Sequence, residues 1–126
     1  MSGKIIDGET CDATTTTIYS DEIRRATANQ IEFIALKVDN AAGTLVGKAY
    51  LQVRDKADVV DWQKVPYENA LTGAVAEEVD IASGTDLEQI FEYSGAAPRV
   101  RLVVERTSGA SEAAGVNASH FRALAR

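Results

Sequence analysis

Hydrophobic and polar residues alternate with a period of two through much of this chain. Ala49, Leu51 and Val53 interleave with Lys48, Tyr50, Gln52 and Arg54, while Val100, Leu102 and Val104 share one parity and Arg99, Arg101, Glu105 and Thr107 the other. Successive strand side chains point to opposite faces, so this pattern predicts strands with one buried and one wetted side. The run Ile31-Glu32-Phe33-Ile34-Ala35-Leu36-Lys37-Val38 is denser in β-branched and aromatic residues and predicts a central strand at 31–38. Further strands are expected near 22–26, 45–54, 59–65, 74–81, 87–93, 99–107 and 118–126, the last with Phe121, Ala123 and Ala125 on one face and His120 at the other parity, a surface or edge histidine.

Turn chemistry separates these runs. Asp39-Asn40-Ala41-Ala42-Gly43-Thr44 reads as the turn of a hairpin between 31–38 and 45–54. Arg54 through Asp58, Ser83-Gly84-Thr85, Gly95 through Pro98 and Ser108 through Gly115 are further turns, and Pro66 ends the strand before it. Seven to eight short strands with no interposed helix predict an all-β fold, an antiparallel, jelly-roll-like β-sandwich. Residues 1–17, with Gly3, Gly8 and the run Thr14 through Thr17, predict an extended N-terminal arm ahead of a single sandwich domain at 18–126. Ile5 and Ile6 suit that arm to lie on a neighbouring subunit.

The chain's 126 residues suit one core, and 45% hydrophobic with 25% charged residues is the composition of a globular domain. Thirteen Lys and Arg stand against 19 Asp and Glu, a formal charge of −6, which works against binding nucleic-acid phosphates. No apolar run is long enough for a membrane helix, and acidic residues stand where a signal peptide places its apolar stretch, so no membrane partner and no secretion are expected. The lone Cys11 has no partner for an internal disulfide or a zinc site and is expected as a buried or simply tolerated thiol.

Candidate chemistry is sparse. A nucleophile–base pair would need His120, the only imidazole, and the adjacent Glu77 and Glu78 of a strand point to opposite faces. Asp55, Asp58 and Asp61 read as solvated turn acids rather than a calcium site. No catalytic residue, metal or cofactor is therefore expected. The charge is uneven: residues 1–22 set Lys4 against Asp7, Glu9, Asp12, Asp21 and Glu22, whereas 99–126 set Arg99, Arg101, Arg106, Arg122 and Arg126 against Glu105 and Glu112. Such asymmetry would steer head-to-tail association between copies. Tyr50, Trp62, Tyr67 and Tyr93 are amphipathic side chains that fill a core, make subunit contacts or stack on sugars.

Leu51-Gln52-Val53, then Asp58, Trp62 and Val65, then Val100-Arg101-Leu102-Val103-Val104 and Thr107-Ser108-Gly109 form a pattern that resembles the small β-sandwich virion structural proteins of tailed bacteriophages. The resemblance covers residues 31–126, with Arg54 through Asp58 replacing the Ser-Asn-Asp-Gly type of turn. It implies a non-enzymatic virion component assembled in the host cytoplasm, a head decoration or cement protein stabilising the capsid through multivalent contacts. The partners it implies are the major capsid protein or other virion proteins, and further copies of the chain. Ile5, Ile6, Arg101, Arg122 and Arg126 are then the expected interface residues. The alternative is a receptor- or glycan-binding module of a spike or fibre, using Trp62 and Tyr67.

Overall fold

The computed structural model describes residues 2–27 and 29–124. Among the described residues twelve strands, more than the seven to eight expected, form two antiparallel sheets packed as a sandwich. The first sheet runs β1 (Ser2–Glu9), β12 (Val116–Leu124), β4 (Gln30–Val38), β10 (Leu87–Tyr93), β7 (Tyr67–Asn69) and β8 (Val75–Ala76). The second runs β2 (Thr17–Tyr19), β11 (Arg99–Ser108), β5 (Val46–Arg54) and β6 (Gln63–Val65), with β3 (Ile23–Arg24) also pairing β11 and β9 (Val79–Ile81) also pairing β5.

Parity places the core. Ile34, Leu36 and Val38 of β4, Phe91 and Tyr93 of β10, and Val116 and Ala118 of β12 meet Ala49 and Leu51 of β5 and Val100, Leu102 and Val104 of β11. Cys11 is fully buried among them, as expected. The extra strands are β1, β2 and β7, in segments expected to be an arm or loop, and one more from a segment that divides. The expected strand at 74–81 splits into β8 in one sheet and β9 in the other, and the one at 59–65 shrinks to β6. In the loop before β6, the Asp55 carboxylate accepts the N–H groups of Ala57, Val59 and Val60 at 2.9–3.1 Å, which holds the backbone out of the ladder.

Three expectations are corrected. First, 31–38 and 45–54 do not form a hairpin, because β4 and β5 lie in different sheets. The crossing is built by Asn40, whose buried side chain donates to the carbonyls of Leu45 and Ala82 at 3.0 and 2.7 Å and accepts the Leu45 N–H at 3.1 Å, replacing ladder bonds at the corner. Gly109, at φ 69°, seals this end: a Cβ there would stand 1.9 Å from the Thr44 carbonyl oxygen. Second, most of the expected arm is no free arm. β1 pairs with β12 from Ser2 opposite Phe121 to Glu9 opposite Val116, through two register irregularities. Third, Phe121 faces outward and stacks on Phe33, with centroids 4.9 Å apart and planes at 7°. The opposite parity, carrying His120 and Arg122, turns to the sandwich interior, so His120 is no surface histidine.

Candidate functional site

The outer face of the second sheet gathers Tyr19, Tyr50 and Trp62, whereas Tyr67 and Tyr93 are buried in the core. The β2–β11–β5 register sets Val103 directly between Tyr19 and Tyr50, and although Val103 has the outward parity it is fully buried. One step along β11, Arg101 pairs across from Gln52 and its Nε donates to Gln52 Oε1 at 2.8 Å. The Arg101 guanidinium lies 4.1 Å from the Tyr19 ring centroid and 4.2 Å from that of Trp62, which enters from the loop before β6. Arg99 adds a guanidinium 5.3 Å from the same indole. Cation–π attraction of this kind pins long side chains that would otherwise be mobile.

The rest of the face is locked electrostatically. Tyr50 donates to Glu105 Oε2 at 2.7 Å, and Lys64 Nζ sits 4.5 Å over the Tyr50 ring while bonding Glu78 Oε1 at 2.6 Å. Burial, then the bond to Glu105, pushes the Tyr50 hydroxyl up to about 12. Burial also pulls Arg101 below its ordinary value, opposed by Tyr19 and Asp61. Arg99 bonds the carboxylates of Glu22 and Asp58, and its hydrogen bond is the chief reason Glu22 titrates below the usual range. Tyr19 nevertheless remains 54% exposed. The arrangement is a preorganised patch of Trp, Tyr and Arg, the residue types that dominate binding energy at protein interfaces. Among the described residues no group of three or more His, Cys, Asp or Glu side chains is placed to hold a metal.

The residues expected at an interface separate. Arg101 lies at the centre of this patch. Ile6 is 3% exposed in the core, and Ile5 packs against that core while its carbonyl accepts the Asp21 N–H at 2.9 Å. Neither isoleucine is free for a neighbouring subunit, because pairing with β12 turns this segment onto the sandwich. Arg122 is spent on an internal cluster: its Nε and His120 Nε2 both bond Glu32 Oε1 at 2.8 Å, and Arg25 Nε bonds Glu32 Oε2 at 2.9 Å. Arg126 lies outside the described residues.

Trp62 and Tyr67, expected together in a glycan site, are not brought together. β6 belongs to one sheet and β7 to the other, with the chain crossing at Pro66. Tyr67 is buried, its ring edge-on to Phe91 with centroids 4.5 Å apart. Tyr19 is the member of the patch that sequence reasoning missed, whereas Tyr50 was among the amphipathic side chains it singled out. Tyr50 carried the wetted parity of β5 as a signal, whereas Tyr19 lies in a short strand without any periodic pattern.

No family model matches the chain, and no curated protein matches its sequence. Among solved structures, the crystal structure of YomS, a protein derived from the SPBc2 prophage, is similar to this chain over 98% of its length and 92% of that of YomS. The TM-score is 0.57 at 9% sequence identity, so the likeness is one of fold.

Proposed function

We propose that this chain is a bacteriophage structural protein, a head decoration or cement protein that works by protein contact and not by catalysis. The observation that carries the reading is the preorganised Tyr19–Arg101–Trp62 stack on the outer face of the second sheet, with Tyr19 exposed and Arg101 and Trp62 half-buried. Its side chains are already held by one another, so docking costs little further side-chain entropy. The shared fold with a prophage-derived protein over nearly the whole of both chains supports the phage assignment. The partner is the major capsid protein or another virion protein presenting the same surface many times. Repeated weak contacts then add through effective concentration.

The test begins with particles of the phage that encodes the chain, which contain it in many copies when analysed by quantitative mass spectrometry. Shells stripped of the protein rebind the purified chain, and Arg101→Ala or Trp62→Ala weakens rebinding by about thirtyfold, the scale of an interface hot spot. Particles without the chain, or variants that rebind as the wild type does, overturn the reading. The glycan alternative draws no support from the geometry, since Trp62 already carries arginine on its ring and Tyr67 is buried.

A further inference from the structure

We propose that copies of this chain associate head to tail, the acidic end of one sandwich seating in a cationic groove at the opposite end of the next. The groove, about 280 Å³, is lined by Arg24, Arg25, Ala26, Lys56, Pro98 and Arg99. Strand register builds it: Arg24 of β3 stands opposite Arg99, and Arg99 stands opposite Arg54 of β5. Like charges directly across a ladder repel unless anions intervene. Two anions of the adjoining loop are engaged by backbone, Asp55 by the N–H groups of Ala57, Val59 and Val60 and Asp61 by that of Trp62, and three more hold arginines. Glu32 holds Arg25, Glu22 holds Arg99, and Asp58 is shared by Arg99 and Arg54. Among the described residues no ion pair engages Arg24 or Lys56, and both are exposed.

The other end has the opposite character. Its loops, 9–17, 39–45, 82–86 and 109–115, carry Glu9, Asp12, Asp39, Asp86 and Glu112 and no lysine or arginine. The nearest cations are Lys37, paired with Asp39 at 3.6 Å, and Arg106, which donates to the Gly109 carbonyl. Three of the carboxylates are fixed by backbone N–H groups: Asp12 by Thr14 and Thr15, Asp86 by Asn40 and Ala41, Glu112 by Ala42. The surface is therefore a rigid anionic plate, and the length of β11 separates it from the groove by about 30 Å.

Charge selects the occupant. In a chain of net charge −6, two-fold contact at the acidic ends places like beside like, whereas head-to-tail contact places the anionic plate on Arg24 and Lys56, the groove cations that no ion pair engages among the described residues. The contact is heterologous, so it closes into a ring or continues as a filament. It adjoins the docking face at Arg99, which lines the groove and lies 5.3 Å from the Trp62 ring, but Arg24 and Lys56 lie outside the Tyr19–Arg101–Trp62 stack, so substitutions there keep shell binding and self-association separable readouts.

Light-scattering mass on the full chain tests this. At low ionic strength the wild-type mass rises with concentration, and at roughly 0.5 M salt, where screening is nearly complete beyond contact distance, it returns to the monomer. Arg24→Glu with Lys56→Glu removes the groove. Glu9→Lys with Asp39→Asn and Glu112→Gln removes the plate, the last change keeping an acceptor for the Ala42 N–H. Each variant is monomeric alone with wild-type melting, and an equimolar mixture forms a capped heterodimer because each supplies the end the other lacks. A wild type monomeric at every concentration in low salt overturns the proposal, as does association that survives Arg24→Glu with Lys56→Glu, or a mixture of folded variants that stays monomeric. The wild-type salt titration stands even if a variant fails to fold.

Discussion

Glu32 stands on the core side of β4 with no exposed side-chain surface, held by Arg25, Arg122 and His120. Taking a carboxylate out of water costs several kcal/mol, and only saturated bonding offsets it. Here Arg25, itself 1% exposed, also donates to the carbonyls of Gly95 and Ala97 and, at 2.5 Å, to that of Gln30, so the cluster ties β4 to the β10–β11 turn. Glu32→Ala leaves the Arg25 charge buried without its partner and is expected to cost about 3–5 kcal/mol, read from urea midpoints at neutral pH. Acid acts on the same group. Burial pushes the Glu32 carboxyl up, but the bonds from Arg122, His120 and Arg25 outweigh it and leave the value below the ordinary carboxylate range. A folded-state value below the unfolded one, about 4.3, means the stabilisation is complete above that pH and is lost as the pH falls through the folded value. Urea midpoints followed from pH 7 to about 3 therefore fall more steeply for the wild type than for Glu32→Ala. Parallel curves would show that Glu32 does not carry this acid sensitivity.

At the scale of elements, alternation reveals which face of a strand is wet but not which strand lies beside it. β5, β10 and β11 match their expected bounds within a residue, and the inward residues Ala49, Leu51, Val100, Leu102 and Val104 are those the pattern selects. The β4–β5 crossing was illegible because a polar turn with a glycine serves a hairpin and a change of sheet equally well. What decides is the Asn40 side chain, acting as a surrogate strand for Leu45 and Ala82. Asn40→Ala leaves buried backbone groups unpaired at about 1–3 kcal/mol each, so the denaturation midpoint falls and the Leu45 amide exchanges faster with solvent. Unchanged exchange at Leu45 would refute that role. The docking patch was half legible for a related reason. Arg101 carried the right parity, but its meeting with Trp62 spans strands adjacent in space and remote in sequence. Glu32 had its signal, a charge on the core parity of an apolar strand.

At the scale of the molecule, a sandwich must keep its sheet edges from pairing with other chains. The second sheet does so with the short pieces β2, β3, β6 and β9, and the first closes one edge with β8 and the other with β1. β1 suits this position because its irregular register, shifted between Lys4 and Ile6 and again between Ile6 and Glu9, spoils it as a template. Both proposed contacts accordingly use a face and the ends, where the stack and the charged surfaces lie. Deleting residues 1–17 tests the arrangement. A free arm would leave the sandwich intact, but here the deletion removes Ile6 and Cys11 from the core and the Ile5 carbonyl that anchors Asp21. It also bares β12, a regular nine-residue strand carrying the exposed Phe121, as a new edge. The truncated chain is expected to unfold at lower urea and to form large, salt-insensitive aggregates by light scattering, unlike the salt-sensitive assembly proposed for the full chain. A truncated protein that melts as the full chain does and stays monomeric would show that β1 is dispensable to the fold and that the edge is guarded by some other feature.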